Sequence, residues 1–270
     1  MEDLRKLKKI CNNIRFEIIK MCNKSKSAHL ASSLSCVDIL VVSLWKILKI
    51  KKYKNKKTFI HDKFIVSKGH AAMAIYSTYA ERGFFPKSYL KTYNKDGGFL
   101  AEHPPANILP GIDVATGSLG HGLPMGAGYA LGCKIKKLNG RIIVVMSDGE
   151  LNEGSNWEAA LFASANNLNN LTVVIDHNKW QATDRSSLTL GKIKLQEKWK
   201  SFGWHTININ GHNLSEIYKS LLVKKNKPIA IIADTIKGKG VSFMEDDNNW
   251  HYRVPNDLEV KKSKIELGVK

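Results

Sequence analysis

Two oxygen-bearing side chains, Asp148 and Asn178, each follow a short apolar run in the sequence. The runs Ile142 to Met146 and Leu171 to Ile175 are typical of buried parallel strands, and the helical segment between them completes a βαβ unit. Both side chains then face the crevice at the carboxyl edge of the sheet, where open α/β sheets bind ligands. A carboxylate oxygen with an amide oxygen suits Mg²⁺, which keeps the rest of its shell for water and phosphates. The pattern predicts a metal–diphosphate site, and the sequence contains no GxxxxGK[ST] nucleotide loop.

A structural interpretation of the same two residues competes with this one. An Asp-Gly pair after a strand is usually a turn, and an Asn at a strand end usually caps the next segment. Taken singly, Asp148 and Asn178 are therefore more often structural than functional. Their pairing across one βαβ unit favours binding.

The elements that must position these residues alternate along the chain. Strands are predicted near residues 64, 142, 171, 204 and 229, with helices over 2–22, 36–48, 71–82, 124–137 and 214–223 and a further helix that carries Trp157, Leu161, Phe162 and Ala165 on one face. This order predicts a doubly wound α/β fold with a mainly parallel sheet flanked by helices. Residues 84–116 are predicted to be irregular, and a loop of that length is usually functional. We expect a single domain over residues 1–270, with a helical amino-terminal segment.

The composition is that of an ordinary globular protein except for its charge. The 270 residues include 42 Lys and Arg against 24 Asp and Glu, a formal net charge of +18, with a local run from Lys49 to Lys57. A basic excess can indicate nucleic acid, anionic membrane or phosphorylated ligands. The basic residues are not interleaved with aromatic residues on a recognisable motif, so we favour compositional drift and predict no nucleic-acid partner.

The cysteines and the apolar stretches bear on location. Four cysteines show neither a CxxC pair nor metal-ligand spacing, which is typical of a reduced cytoplasmic protein. The amino terminus is charged, so no secretory signal is visible. The most apolar stretch, Leu34 to Ile50, is interrupted by Asp38 and Lys46, which indicates a buried helix and no membrane span.

A glycine-rich run, residues 116–122, leads directly into an Ala/Gly-rich helix. Such a turn offers free backbone N–H groups to an anion or a ring. As a lone signal it is weak, because the glycines can serve helix packing alone.

These motifs together resemble the thiamine-diphosphate domain of the transketolase family. In the family the metal motif usually begins with Gly-Asp-Gly, continues through a helix and ends with Asn-Asn. Here Ser147 stands in place of the first Gly and His177 in place of the first Asn. The run Thr-Gly-Ser-Leu-Gly-His-Gly resembles the family's Thr-Gly-Pro-Leu-Gly-Gln-Gly, with His121 in place of Gln. Histidines stand at four family positions: His29, His70, His103 and His251. Five motifs follow the family's order over residues 27–251, and the resemblance implies the thiamine-diphosphate-binding fold.

The resemblance also implies roles for individual residues. Mg²⁺ is held by Asp148, Asn178 and the main-chain oxygen of Trp180. The diphosphate is touched by Gly149, His70 and His251, and the aminopyrimidine ring by backbone groups of Gly117, Ser118 and Leu119. His29 and His103 face the sugar, donating hydrogen bonds to hydroxyls and the developing alkoxide, and with His251 form the catalytic set. Glu153 reaches toward the cofactor of a neighbouring subunit, although a first-turn helix acid is the simpler interpretation.

The implied activity is transfer of a two-carbon ketol unit between phosphorylated sugars, as in the pentose phosphate pathway. In transketolases a glutamate on the following pyrimidine-binding domain protonates the cofactor, and this sequence ends at Lys270. We therefore expect the amino-terminal subunit of a split transketolase, active in an α₂β₂ heterotetramer with a carboxy-terminal subunit that holds the pyrimidine-binding and C-terminal domains.

Two alternatives stay open at this point. Ala28 and Ala31 replace two family glycines around His29, and Tyr252 follows His251 where many relatives have Gly. The two alanines leave open a deoxyxylulose-phosphate synthase or a dedicated sugar-biosynthesis transketolase. The other alternative is a non-catalytic basic binding protein that retains the fold, against which the presence of Asp148 and Asn178 argues.

Overall fold

A parallel β-sheet between two layers of helices forms the frame of the computed structural model, which describes residues 2–49 and 62–270. Over these residues the sheet has five strands in the order β1-β2-β3-β5-β4, all parallel. The strands are β1 (Lys63–Val66), β2 (Ile142–Ser147), β3 (Leu171–His177), β4 (His205–Asn210) and β5 (Ile229–Asp234). All carboxyl ends therefore meet at one edge. Beyond Lys49, the lysine-rich run lies outside the described residues.

The helices occupy the connections between strands. They are α1 (Glu2–Ser25), α2 (Leu30–Ser35), α3 (Val37–Val42), α4 (Ala72–Arg82), α5 (Gly122–Ile135), α6 (Gly154–Ala165), α7 (Ser186–Thr189), α8 (Leu195–Ser201), α9 (Leu214–Leu222) and α10 (Asp257–Glu266). Four 3₁₀ segments (Gly69–Ala71, Lys87–Thr92, Gly149–Asn152 and Asn248–His251) and one π-helical segment (Ser43–Ile47) complete them. None of the helices in the described part of the chain combines the length and apolarity needed to cross a membrane.

Each face of the sheet packs against its own helices. Ile143 and Val145 of β2 belong to a core shared with α1–α4 and α9. Val144 and Met146 point to the opposite face, which packs against α5, α6 and α8. Because alternate residues of a strand face opposite sides, a strand buried on both faces must be apolar throughout, as β2 is. The predicted fold class, a parallel α/β sheet wound on both faces, is confirmed.

The segment after His29 differs from its prediction. The sequence predicts one helix over 36–48 and no element between residues 22 and 36; instead Leu30–Ser35 and Val37–Val42 are two helices, and a π-helical segment follows them. Serine has a low helix propensity because its side chain competes for backbone groups. Here all six residues of α2 are buried against α1 and α4, and tertiary packing overrides that propensity.

The orientation of α6 is the second difference. Its buried side is made of small residues, Ala159, Ala160 and Ala163 with Asn156. Leu161 is 58% exposed and Phe162 44% exposed, so much of the apolar face noted in the sequence points away from the sheet. The helix α10, which the periodicity did not predict, begins at a capping box between Asn256 and Glu259.

Candidate functional site

The strand register places the two predicted metal-binding side chains at one edge. Ser147 of β2 pairs with Asp176 of β3, so Asp148 and Asn178 come just beyond paired positions. Asp148 is 6% exposed and Asn178 3% exposed. Each is therefore a polar group buried at the carboxyl edge of the sheet, where the sequence predicted a ligand site.

A cleft of about 550 Å³ opens at this edge. Ten of the predicted site residues line it: His29, His70, His103, Gly117, Leu119, Gly149, Glu153, Asn178, Trp180 and His251. Ser118 is not among the lining residues. Asp148 lines an adjacent hollow of about 400 Å³, together with His177 and Ser186. The structure thus gathers most of the predicted set in one cleft and places the carboxylate in the hollow beside it.

The four predicted histidines form one cluster. The Nδ1 atom of His29 lies 3.1 Å from Nε2 of His251. The centre of the His29 ring lies 5.6 Å from the centre of the His70 ring and 6.2 Å from that of His103. His29 has a left-handed backbone, with φ of 70°, and its N–H donates to the His251 carbonyl at 2.6 Å. Left-handed φ is uncommon for a residue with a side chain, and such strain concentrates at functional sites.

Burial lowers the pKa of three of these histidines, His29, His70 and His251, which favours their neutral form. Burial, followed by the charge of Lys237, lowers the pKa of His251 to about 3. Burial also lowers the pKa of His29, and that of His70 well below its usual value. A neutral imidazole donates from one nitrogen and accepts at the other, so these rings can bind several sugar hydroxyls or phosphate-linked groups without adding charge.

Two buried lysines near the cleft were not singled out in the sequence. Lys68 forms a buried ion pair with Asp176 and donates to the Ser32 carbonyl at 2.8 Å. Lys237 donates to Asn248 Oδ1, and its Nζ lies 3.1 Å from Nδ1 of His251. Burial and the neighbouring Lys68 lower the pKa of Lys237 to about 8. Both lysines closely follow strand ends, the same signal that identified Asp148, so the sequence could have revealed them.

Glu150 is the other group missed at this edge. Its Oε1 accepts from the Ser67 hydroxyl and, at 3.0 Å, from the Gly120 N–H, which joins the glycine-rich run to β1. Its Oε2 is buried without a hydrogen-bond partner among the described residues, and burial raises the pKa of the carboxyl. In the same run Gly117 has φ of 145°, and a Cβ there would lie 2.7 Å from the His103 ring, so glycine is required.

The residues present fit a hard divalent cation. Asp148 Oδ2 accepts from the Ser186 hydroxyl at 2.7 Å, whereas Oδ1 is buried with no partner in the described chain. Burial raises the pKa of Asp148, so the carboxylate is poorly compensated without a cation. Asn178 Oδ1 accepts from the Trp180 N–H at 3.0 Å, and an amide oxygen has a second lone pair for a metal.

Within the described residues no group of three or more His, Cys, Asp or Glu side chains forms a metal cluster. The predicted set contains only one such side chain, so it does not depend on a cluster.

Three of the relatives found by comparison with known proteins agree with one another. An apulose-4-phosphate transketolase subunit of Phocaeicola vulgatus is 35% identical over 94% of this chain and 91% of its own length. The 6-deoxy-6-sulfo-D-fructose transketolase subunit SqwG of a Clostridium species is 36% identical over 87% of this chain and 86% of its own length. The crystal structure of a Campylobacter jejuni transketolase superposes with a TM-score of 0.89 at 27% identity, over 97% of this chain and 42% of its own.

The chain therefore spans nearly the whole length of two proteins named as transketolase subunits and about two fifths of the solved transketolase. A family model described as the thiamine diphosphate binding domain of transketolase matches residues 6–270. The resemblance to an amino-terminal transketolase subunit is confirmed. By sequence and by fold, the chain belongs to the transketolase family of thiamine-diphosphate-binding domains.

Proposed function

We propose that this chain is the thiamine-diphosphate-binding subunit of a two-chain, Mg²⁺-dependent transketolase. The observation that carries the proposal is the buried Oδ1 of Asp148, which has no hydrogen-bond partner among residues 2–49 and 62–270 and lies at the sheet edge that also holds Asn178 and the four-histidine cleft. By contrast, a second strand-end carboxylate, Asp176, forms a buried ion pair with Lys68.

The chain's own groups divide into three roles in this proposal. Asp148, Asn178 and the Trp180 carbonyl would hold Mg²⁺, and Gly149, His70 and His251 would contact the diphosphate. The backbone of residues 117–119 would hold the aminopyrimidine. The bound cofactor supplies a carbanion that accepts and donates the two-carbon unit.

His29 and His103 would bind the sugar hydroxyls, and a neutral imidazole that donates to an oxygen stabilises the alkoxide that develops there. His251 contacts His29 directly, so it fixes the orientation of that ring as well as facing the cleft. The cationic Lys237 beside the cleft favours phosphorylated ketoses and aldoses, including those of the pentose phosphate pathway. The alanines on either side of His29 would tune the choice among such sugars.

The proposed partner is a carboxy-terminal subunit that supplies the pyrimidine-binding domain, in an α₂β₂ assembly. The relatives named as subunits support a two-chain enzyme. The exposed Leu161 and Phe162 on α6 support an interface on that side, since large apolar residues exposed together mark contact surfaces. Glu153, exposed at the start of the same helix and lining the cleft, would reach a neighbouring site across that interface. The cytoplasmic location and the single-domain organisation stay predictions.

The test is calorimetry of thiamine diphosphate with Mg²⁺, on the chain alone and with its carboxy-terminal partner. We expect Asp148→Ala to abolish metal-dependent binding in both cases. Asp96→Ala removes an exposed aspartate outside the cleft and should bind as the wild type does. Unchanged metal-dependent binding by Asp148→Ala would contradict the metal site. Full ketol transfer by the chain purified alone would contradict the need for a partner.

A further inference from the structure

A hairpin over residues 179–186 contributes to the proposed metal site at both of its ends. Trp180 pairs with Arg185 in an isolated antiparallel bridge, the Ser186 N–H donates to the Lys179 carbonyl at 3.0 Å, and the Gln181 N–H donates to the Asp184 carbonyl at 2.8 Å. One end of the hairpin carries Trp180, whose main-chain oxygen is the proposed third ligand. The other end carries Ser186, whose hydroxyl donates to Asp148.

The hairpin is anchored by a stacked ion pair. The Arg185 guanidinium lies 3.8 Å from the centre of the Trp180 ring and donates two hydrogen bonds of 2.7 Å to the Asp246 carboxylate. The Trp180 indole N–H donates to the same carboxylate at 2.8 Å. An exposed ion pair contributes little on its own, but a two-pronged guanidinium–carboxylate contact that is also stacked on an indole fixes geometry. The backbone of Trp180 and the position of Ser186 are therefore set by one cluster.

Asp148 is held asymmetrically as a result. Its Oδ2 accepts the Ser186 hydroxyl at 2.7 Å, and its Oδ1 is buried without a partner among the described residues. A carboxylate that can rotate would present either oxygen to a cation, whereas a hydrogen bond to one oxygen selects the other. Groups that orient a metal ligand in this way commonly change metal affinity by about 10–100-fold when removed.

We propose that Ser186 is a positioning residue for the metal site, which holds Asp148 Oδ2 so that Oδ1 is left for the cation. The hairpin then couples two ligands: movement of its Trp180 end changes the main-chain oxygen, and movement of its Ser186 end changes the carboxylate. This inference rests on the proposed function, because it concerns the same Mg²⁺ site.

The experiment is a calorimetric titration of Mg²⁺ into the chain with its partner subunit, in the presence of excess thiamine diphosphate. We expect Ser186→Ala to raise the Mg²⁺ dissociation constant about tenfold. Ser186→Thr keeps the hydroxyl and should bind within about twofold of the wild type. Ser187→Ala changes the neighbouring exposed serine and is the matched control, with no change expected. Arg185→Gln releases the anchor and should also weaken Mg²⁺ binding.

The outcomes separate the inference from the proposed function. A wild-type protein that binds no Mg²⁺ with the cofactor would overturn the proposed function, and the role of Ser186 with it. If the wild type binds Mg²⁺ and Ser186→Ala binds equally well, only the role of Ser186 is overturned. The role is also overturned if Ser186→Thr is as weak as Ser186→Ala, or if Ser187→Ala is equally weakened, since neither loss would trace to the hydroxyl. Equal unfolding free energies of the variants without Mg²⁺ exclude a general loss of folding.

Discussion

Asp148 and Asp176 are carboxylates at the ends of adjacent strands, and they differ in how completely the rest of the chain pairs them. Asp176 is fully buried, pairs with Lys68, and accepts from the hydroxyls of Ser35 and Thr235. Burial opposes its ionisation, but Lys68 and these hydrogen bonds together hold its pKa below the usual value. Asp148 has one hydroxyl donor, one oxygen without a partner in the described chain, and a pKa raised by burial.

Under the proposed function, this difference separates a structural carboxylate from a ligand-binding one. A buried charge is stable only when it is paired and hydrogen-bonded, and Asp176 meets both conditions within the chain. Asp148 meets neither fully, so the chain tolerates an electrostatic cost that a bound cation would remove. Glu150 lies between these two cases, because its Oε1 accepts from Ser67 and Gly120 whereas its buried Oε2 has no partner among the described residues.

The largest expected effect comes from breaking the compensated pair. Lys68→Met leaves Asp176 buried without its counter-charge, and we expect the free energy of unfolding to fall by about 3–5 kcal/mol. Urea unfolding measures it. The control is Lys194→Met, which breaks the exposed pair with Glu197 and should change the unfolding free energy by less than about 1 kcal/mol. Similar losses in the two variants would remove the distinction between the two kinds of carboxylate.

The sequence was enough to predict that Asp148 and Asp176 lie at the ends of strands. It was not enough to predict which of the two carboxylates has a counter-charge. Apolar runs such as Ile142 to Met146 identify buried strands because they need no information beyond the local sequence. The partners of Asp176 and Asp148 come from elements more than thirty residues away, namely Lys68 and Ser186. The helix Leu30–Ser35 and the buried side of α6 were missed for the same reason, since tertiary packing decides them. The four histidines were found because family motifs carry them, and their mutual contacts could only be seen in the fold.

Glu150 gives the next largest effect and tests the intermediate case. Glu150→Ala removes the acceptor of the Gly120 N–H and the Ser67 hydroxyl, and leaving buried donors unpaired costs about 1–3 kcal/mol of unfolding free energy. Glu153→Ala at the exposed neighbour should change it by less than about 0.5 kcal/mol. Chemical denaturation of both variants is the measurement. An equal effect at the two positions would show that the hydrogen bonds of Glu150 do not stabilise the glycine-rich run.

His251 extends the contrast to pH. The pKa of His251 in the folded state, about 3, lies below the ordinary histidine value near 6.5. Between these two pH values the unfolded state therefore binds a proton that the folded state does not bind. The contribution of His251 to stability is complete above about pH 6.5 and is lost as the pH falls from there toward 3. One proton accounts for at most about 1.4 kcal/mol per pH unit, and solvent in the open cleft reduces this. Urea unfolding between pH 7 and 5 should therefore show a shallower loss for His251→Gln than for wild type.

The exposed His121 provides the control for that pH series. His121→Gln should follow the wild-type pH dependence, because its ring is open to solvent and lies outside the histidine cluster. A His251→Gln profile parallel to that of the wild type would show that the cleft does not exclude the charged imidazole. The neutral-histidine interpretation of sugar binding would then fail.

The smallest effect is expected at Asp148 itself, and it is the sharpest test of the comparison. Asp148→Asn keeps an acceptor for Ser186 and removes a poorly compensated charge, so without metal we expect the free energy of unfolding to be unchanged or to rise by up to about 1 kcal/mol. With Mg²⁺ and thiamine diphosphate the order should reverse, since only the wild type gains stability from ligands that bind the folded state. Thermal unfolding of the wild type and Asp148→Asn, with and without these ligands, measures the stability difference in both conditions. A metal-free loss of several kcal/mol would instead make Asp148 a structural carboxylate like Asp176, and the unpartnered oxygen would no longer indicate a binding site.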